Sequence, residues 1–134
     1  MKTYVLDASA LFAFLEDRAG ASKVDHLLTE ASRGYAEILM SAVNYGDVFG
    51  SILREHGLDR ATRAMNAVHP LPIRLVDATP QRSLRAAEIK SKYKLYYIDS
   101  FAAALAIECK ATLVTSDADF RRLGHGVPVL WLKN

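Results

Sequence analysis

At residues 112–117 the chain reads TLVTSD, an apolar run that ends in an aspartate and is followed at once by a helix-like segment. The same arrangement occurs at YVLD (residues 4–7) and at YYID (residues 96–99). In a parallel α/β sheet the carboxyl ends of the strands share one edge, and such folds place their sites at that edge. We therefore expect Asp7, Asp99 and Asp117 to lie together at the ends of three strands.

The rest of the chain alternates strand-like and helix-like segments. We predict strands at residues 2–6, 36–40, 73–76, 112–115 and 127–132, and helices at residues 9–16, 22–31, 58–68, 80–92, 98–109 and 117–123. Ser41 is a good N-cap for a further, long helix that runs to about His56. Strands that alternate with helices form a parallel sheet with helices on both faces, so the expected fold class is α/β.

Length and composition exclude several classes of protein. The 134 residues, 51% of them apolar, fit one domain spanning 1–134 with a sizeable core. No apolar stretch approaches the roughly 20 residues that cross a bilayer, and a strand starts too early to leave room for a signal peptide. The single cysteine excludes an internal disulfide and fits a reducing compartment, so we expect a cytoplasmic protein.

The strand-end aspartates allow two interpretations. An aspartate between a strand and a helix is often an N-cap, which accepts hydrogen bonds from free backbone amides. Capping does not require aspartate at all three places, however, and three carboxylates at one edge repel each other unless a cation lies between them. Nearby hydroxyl groups could hold the carboxylates or metal-bound waters in place; they belong to Ser9, Thr115 and Ser116.

The residue types favour a hard divalent cation. Mg²⁺ and Mn²⁺ take oxygen ligands, and carboxylates from several chain segments suit them. Zinc is disfavoured, because the histidines are scattered and none pairs with Cys109 at ligand spacing. Glycine-rich phosphate loops and a serine-elbow motif are absent from the sequence, which argues against P-loop and serine hydrolases.

The net charge of +2 does not by itself indicate nucleic acid. Its distribution is more informative, because one segment carries five basic residues against a single acid, Glu88: Arg82, Arg85, Lys90, Lys92 and Lys94. A basic strip beside a carboxylate cluster is expected of a metal enzyme that acts on a polyanion. The alternative is an ordinary solvated helix face.

Three motifs together resemble those of the PIN-domain ribonucleases, and most closely the VapC-type toxins of VapBC toxin–antitoxin modules. They are DASAL from Asp7, YIDSFAAALA from Tyr97 and LVTSDADF from Leu113. The resemblance implies a three-layer α/β/α sandwich with a central parallel sheet. It also implies an Mg²⁺- or Mn²⁺-dependent endoribonuclease that hydrolyses RNA phosphodiester bonds.

The resemblance assigns roles to individual residues. Asp7, Asp99 and Asp117 match the metal-binding aspartates of the family, and Asp119 matches a further acid found in many members. Where family members usually carry a glutamate in the third helix, this chain has Asp47, which is one methylene shorter. The implied catalytic set is therefore Asp7, Asp47, Asp99 and Asp117, and the implied metal ligands are Asp7, Asp99, Asp117 and Asp119. The basic residues Arg82, Arg85, Lys90 and Lys92 are candidates for RNA binding.

The resemblance further implies a small VapB-like antitoxin and a homodimer. The apolar side chains of the first helices form the candidate antitoxin groove: Leu11, Phe12, Phe14, Leu15 and Leu28. Three alternatives stay open: a PIN nuclease that processes RNA outside a toxin–antitoxin pair, a catalytically weakened binding domain, and an aspartyl-phosphate enzyme or receiver domain. The last is disfavoured, because no second acid follows Asp7 by two residues.

Overall fold

The computed structural model describes residues 1–133 and shows a parallel sheet between two layers of helices. The strands are β1 (Lys2–Leu6), β2 (Ala36–Ser41), β3 (Arg74–Val76), β4 (Thr112–Thr115) and β5 (Val129–Trp131). The helices are α1 (Ala8–Leu15), α2 (Ala21–Ser32), α3 (Ala42–His56), α4 (Leu58–Val68), α5 (Pro80–Tyr93), α6 (Tyr97–Glu108) and a 3₁₀ helix (Ala118–Leu123). The predicted α/β class and parallel sheet are confirmed.

Helices cover both faces of the sheet. Because successive side chains of a strand point to opposite faces, the neighbours Val5 and Leu6 belong to different layers of the core. Val5 packs with residues of α6 such as Ala102, whereas Leu6 packs with residues of α1 and α2 such as Ala10 and Val24. Helices α3 and α4 cover the same face as α1 and α2. No helix within residues 1–133 combines the length and the apolar character that a membrane crossing requires.

The strand order is β3-β2-β1-β4-β5, so the chain first winds outward from β1 and then returns to the other side of it. The order therefore reverses between β1 and β4, and ligands of open α/β sheets bind at such a switch point. Leu6 pairs with Val114 in the register of these two strands, and the Asp7 amide donates to the Val114 carbonyl at 3.3 Å. Asp7 and Thr115 consequently leave the sheet side by side.

The prediction that Asp99 ends a strand is wrong. Helix α6 begins at Tyr97, which places Asp99 in its first turn. The apolar run before Asp99 resembles a strand, but its side chains are exposed: 74% for Tyr96, 42% for Tyr97 and 39% for Ile98. The last strand is also shorter than the predicted 127–132, because only residues 129–131 pair with β4.

Candidate metal centre

Three carboxylates converge beside the switch point of the sheet. Asp99, Asp117 and Asp119 each offer one oxygen, and these three oxygens lie within 4.8 Å of one another. Asp117 follows β4, Asp119 lies in the first turn of the 3₁₀ helix, and Asp99 lies in the first turn of α6. We call these three residues the acidic triad. The fold thus places Asp117 and Asp119, which follow β4, beside Asp99 at the start of α6.

Two hydrogen bonds hold Asp117, one through its backbone amide and one through its side chain. Its amide donates to Oγ1 of Thr115 at 2.9 Å, and its Oδ1 accepts from the Asp119 amide at 2.9 Å. Asp117 is therefore an N-cap and also a member of the acidic triad. Capping uses one carboxylate oxygen, which leaves the other available to a ligand.

Asp7 is the most buried acid of the site, with only 3% of its surface exposed. Its Oδ1 accepts from Oγ of Ser9 at 2.7 Å and from the Ala10 amide at 2.9 Å, so it also caps α1. Its Oδ2 accepts from Oγ1 of Thr115 at 2.6 Å. Asp7 is not a member of the acidic triad. Each carboxylate oxygen has two lone pairs, however, so Oδ2 still has one that is not used by a protein donor.

Ser9 and Thr115 therefore both act on Asp7. Their hydroxyl oxygens lie 3.2 Å apart, and because each donates its single proton to Asp7, this carboxylate joins the start of α1 to the end of β4. Ser116 contributes through its backbone, because its amide donates to Oγ of Ser9 at 3.0 Å. This network fixes the orientation of Asp7 beside Asp117.

The electrostatics of the site show an excess of negative charge. Burial raises the pKa of Asp7 to about 6; the hydrogen bonds from Ser9, Thr115 and Ala10 lower it, and the charge of Asp117 raises it. Burial also raises the pKa of Asp99 to about 6. The charges of Asp117, Asp7, Asp119 and Asp47, in that order, are the smaller contributions to this raised pKa. A bound cation would relieve this repulsion, because it favours the ionised carboxylates.

Asp47 lies on α3, is half-buried and is not a member of the acidic triad. Its negative charge nevertheless contributes to the raised pKa of Asp99, so it faces the same site. One turn earlier, Asn44 is 1% exposed and donates from Nδ2 to the Ile98 carbonyl at 3.1 Å. Oδ1 of Asn44 is buried and has no hydrogen-bond partner within residues 1–133.

The sequence interpretation missed Asn44. The available signal was an amide side chain three residues before Asp47, on a helix whose other buried residues are Val48 and Ile52. A buried polar side chain costs free energy unless it is hydrogen-bonded. Its presence among apolar residues therefore points to a specific contact.

The candidate RNA-binding residues separate into two groups. Arg82 is engaged by Glu108, with Nε–Oε1 and Nη2–Oε2 distances of 3.1 and 2.9 Å. The guanidinium of Arg85 lies 3.4 Å from Glu88, and the Lys92 ammonium lies 5.2 Å from the centre of the Tyr93 ring. Lys90 is exposed and has no carboxylate within 4.0 Å among the described residues.

The donor set fits a hard divalent cation. The acidic triad supplies only carboxylate oxygens, and no histidine or cysteine belongs to this group in residues 1–133. Mg²⁺ and Mn²⁺ prefer such oxygen ligands, usually together with several waters. Burial, followed by neighbouring carboxylates, raises the pKa values of Asp7 and Asp99, and a bound cation would favour the ionised form of both side chains.

This fold and acidic site define the class of protein. The PIN domain profile matches residues 4–126. The chain belongs to the PIN domain family, as its three motifs indicated. No curated protein sequence matches it.

Solved structures share the fold at low sequence identity. VapBC from Salmonella typhimurium, bound to DNA, has a TM-score of 0.77 at 12% identity, covering 98% of this chain and 99% of that one. VapBC2 from Rickettsia felis, bound to a DNA fragment from its promoter, has a TM-score of 0.76 at 15% identity, covering 96% and 97%. VapC20 from Mycobacterium tuberculosis, described as a sarcin-ricin loop cleaving toxin, has a TM-score of 0.72 at 16% identity, covering 90% and 95%.

Proposed function

We propose that this PIN domain is an Mg²⁺- or Mn²⁺-dependent endoribonuclease that acts as the toxin of a toxin–antitoxin pair. The observation that carries the proposal is the acidic triad, whose three oxygens lie within 4.8 Å of one another at the switch point of the sheet. Membership of the PIN family and the likeness to VapBC structures support it. RNA is favoured over DNA as substrate by the likeness to VapC20, a toxin that cleaves the sarcin-ricin loop.

In this proposal Asp99, Asp117 and Asp119 hold the divalent ion directly, and Asp7 adds a fourth carboxylate through the free lone pair of Oδ2. When bound, the ion lowers the pKa of a coordinated water and offsets negative charge on the phosphate. Ser9 and Thr115 keep Asp7 in one orientation. Asp47 lies near Asp99 without belonging to the acidic triad, so it orients a water rather than replacing a ligand.

Cleavage of RNA by the purified protein tests the enzymatic part. We expect cleavage with Mg²⁺ or Mn²⁺, none with a chelator, and loss of activity in Asp117→Asn, which removes one ligand charge. The matched control is Asp25→Asn, the same change at an exposed aspartate of α2. Equal RNA ends from the wild type and from Asp117→Asn would contradict the proposal.

The toxin part requires an antitoxin. Of the residues proposed for its groove, Leu11 and Leu28 are buried in the core, at 0% and 5% exposure. Phe12, Phe14 and Leu15 are half-buried and are the ones that can contact a partner. We propose that an apolar segment of a VapB-like antitoxin packs against these three side chains, and that the complex contains a homodimer of this chain.

Growth assays test the toxin part separately. Expression of the chain should arrest growth, and co-expression of its cognate antitoxin, to be sought as a short reading frame beside its gene, should restore growth. Phe12→Asp should abolish that rescue and leave RNA cleavage by the purified protein intact. Unchanged growth with an enzyme that cleaves RNA in vitro would instead indicate an RNA-processing nuclease.

A further inference from the structure

A polar surface groove runs along one face of α5 to the acidic triad. Its volume is about 750 Å³. Its lining includes Ala87, Lys90, Ser91 and Lys94, and this spacing places them on a single helix face. The rest of the lining consists of Leu95, Tyr96, Asp119 and Arg122. Because Asp119 belongs to both, the groove is continuous with the candidate metal centre.

The charge of the groove comes from two lysines. Lys90 and Lys94 are exposed, and neither ammonium has a carboxylate within 4.0 Å in the part of the chain that the structure describes. Arg122 is used differently: its Nη1 donates to the Lys94 carbonyl at 2.9 Å, and its Nη2 lies 3.6 Å from Asp119. Arg122 therefore fixes the end of α5 against the 3₁₀ helix, and the two lysines are the cations free to bind an anion.

The groove also offers an aromatic surface. Tyr96 is 74% exposed, yet its backbone is fixed, because its carbonyl accepts from the Ser100 amide at 3.0 Å and from Oγ of Ser100 at 2.8 Å. Its side chain makes no capping hydrogen bond to α6. An exposed aromatic ring on a fixed backbone, in a groove that also carries cations, is the arrangement on which an unpaired base stacks.

We propose that this groove binds the single-stranded RNA that flanks the scissile phosphate. Lys90 and Lys94 contact successive backbone phosphates, and Tyr96 stacks on one base. The substrate is single-stranded at this place, because a base in a duplex cannot lay its face on the ring. Arg82, Arg85 and Lys92 do not line the groove and take no part. This inference rests on the proposed function, since it concerns the substrate of the same site.

Binding without hydrolysis tests the groove. The probe is a fluorescently labelled oligouridine, titrated with the Asp99→Asn protein in the presence of a chelator. Affinity for a single strand decreases with salt, and the plot of log affinity against log salt becomes less steep by about 0.7 for each phosphate that the protein no longer neutralises. Lys90→Gln and Lys94→Gln should each make the plot less steep by that amount, and the double variant should make it less steep by about 1.4.

The matched control is Lys92→Gln, the same change at an exposed lysine of the same helix that lies outside the groove. It should leave the slope unchanged; equal losses in Lys90→Gln and Lys92→Gln would overturn the proposal. Tyr96→Ala should weaken binding about 5- to 150-fold, and Tyr96→Phe should retain binding because it keeps the ring. Preferential binding of a polyglutamate peptide, which mimics an acidic protein partner, would assign the groove to protein instead.

The outcome is separable from that of the nuclease proposal. If the wild-type protein cleaves RNA but Lys90→Gln and Lys94→Gln do not change oligouridine binding, the groove proposal fails and the nuclease proposal remains. If the oligouridine binds as expected but no divalent ion permits cleavage, the nuclease proposal fails and the groove remains.

Discussion

The side-chain amide of Asn44 donates a 3.1 Å hydrogen bond to the backbone carbonyl of Ile98, the residue that precedes Asp99. This hydrogen bond joins α3 to the first turn of α6 across 54 positions of the chain. Asp47 follows Asn44 by one helical turn, so the same hydrogen bond sets how the charge of Asp47 faces Asp99. Asn44 is therefore a positioning residue of the candidate metal centre.

Asn44→Ala should weaken Mn²⁺ binding by roughly threefold to tenfold, since about 1 kcal/mol of positioning is removed. The free energy of unfolding should fall by a similar amount, about 1 kcal/mol, because the loss of the hydrogen bond is partly offset by removal of the unpaired Oδ1. Isothermal calorimetry and urea denaturation measure the two effects.

The control for this variant is Val43→Ala, a neighbouring half-buried position on α3. It should also lower the free energy of unfolding, because buried methyl groups are removed. It should leave Mn²⁺ affinity unchanged. Equal loss of affinity in both variants would show that general destabilisation, and not the hydrogen bond of Asn44, controls the site.

The raised pKa of Asp7 makes the stability of the ion-free protein depend on pH. Its folded pKa is about 6 and its ordinary value is 3.8, so the folded state binds the proton more tightly. Stability contributed by this group is therefore lost as pH rises from about 4 to about 6. The full penalty, reached above the folded pKa, is roughly 3 kcal/mol for a shift of about two pH units.

Asp7→Asn checks this expectation, because it removes the titrating group and keeps an oxygen for the Ala10 amide. With a chelator present at pH 7, the variant should unfold at a higher urea concentration than the wild type. This difference in unfolding midpoint should vanish near pH 4. At the same Mg²⁺ concentration the wild type should be stabilised more than the variant, because the variant keeps the acidic triad but lacks the fourth carboxylate. A pH-independent difference between the two proteins would contradict the assigned pKa.

Asp47→Asn should lower the pKa of Asp99, because it removes one of the negative charges that raise it. RNA cleavage should fall at least tenfold if Asp47 orients a water, while direct metal binding should weaken only a few-fold. Carbon-13 NMR titration of the carboxyl groups gives the pKa. Asp47→Glu keeps the charge and should retain most activity; an inactive Asp47→Glu would argue that the shorter side chain is required.

Arg82→Gln should affect stability and leave RNA binding unchanged, because its guanidinium is engaged by Glu108 across α5 and α6. Both side chains are partly exposed, so the expected loss is about 0.5–1 kcal/mol. A double-mutant cycle with Glu108→Gln measures the coupling by urea denaturation. If Arg82→Gln lowers the affinity for oligouridine as much as Lys90→Gln does, Arg82 contacts RNA and this prediction is wrong.

Much of the fold was readable from the sequence, because alternation of apolar runs with capped helices is a local signal. Ser41 caps α3 and the helix ends at His56, as the sequence predicted. The run before Asp99 was misread for a physical reason: three apolar residues satisfy the pattern of a strand, but only tertiary contacts decide whether they are buried. In the structure they are exposed at the start of a helix.

The site was less readable, because its distances depend on contacts between remote segments. The motifs indicated that Asp99 and Asp117 lie together, whereas the three hydrogen bonds that fix Asp7 include one from Thr115, a contact between remote segments. Both Arg82 and Lys90 are candidates for RNA binding on the sequence alone, because both are basic residues of the same segment. Only the structure shows that Glu108 engages Arg82 and that Lys90 faces the groove.

The hydroxyl of Thr115 reaches Asp7 across 108 positions of the chain, and β1 pairs with β4 before the two can meet. A ribosome therefore has to synthesise nearly the whole polypeptide before Asp7 can accept the hydrogen bond from Thr115. Translation products that stop ahead of β4 lack Asp117 and Asp119 as well. A copy that ends before β4 therefore carries only Asp99 of the acidic triad, and the ion site can be completed only when synthesis is almost finished.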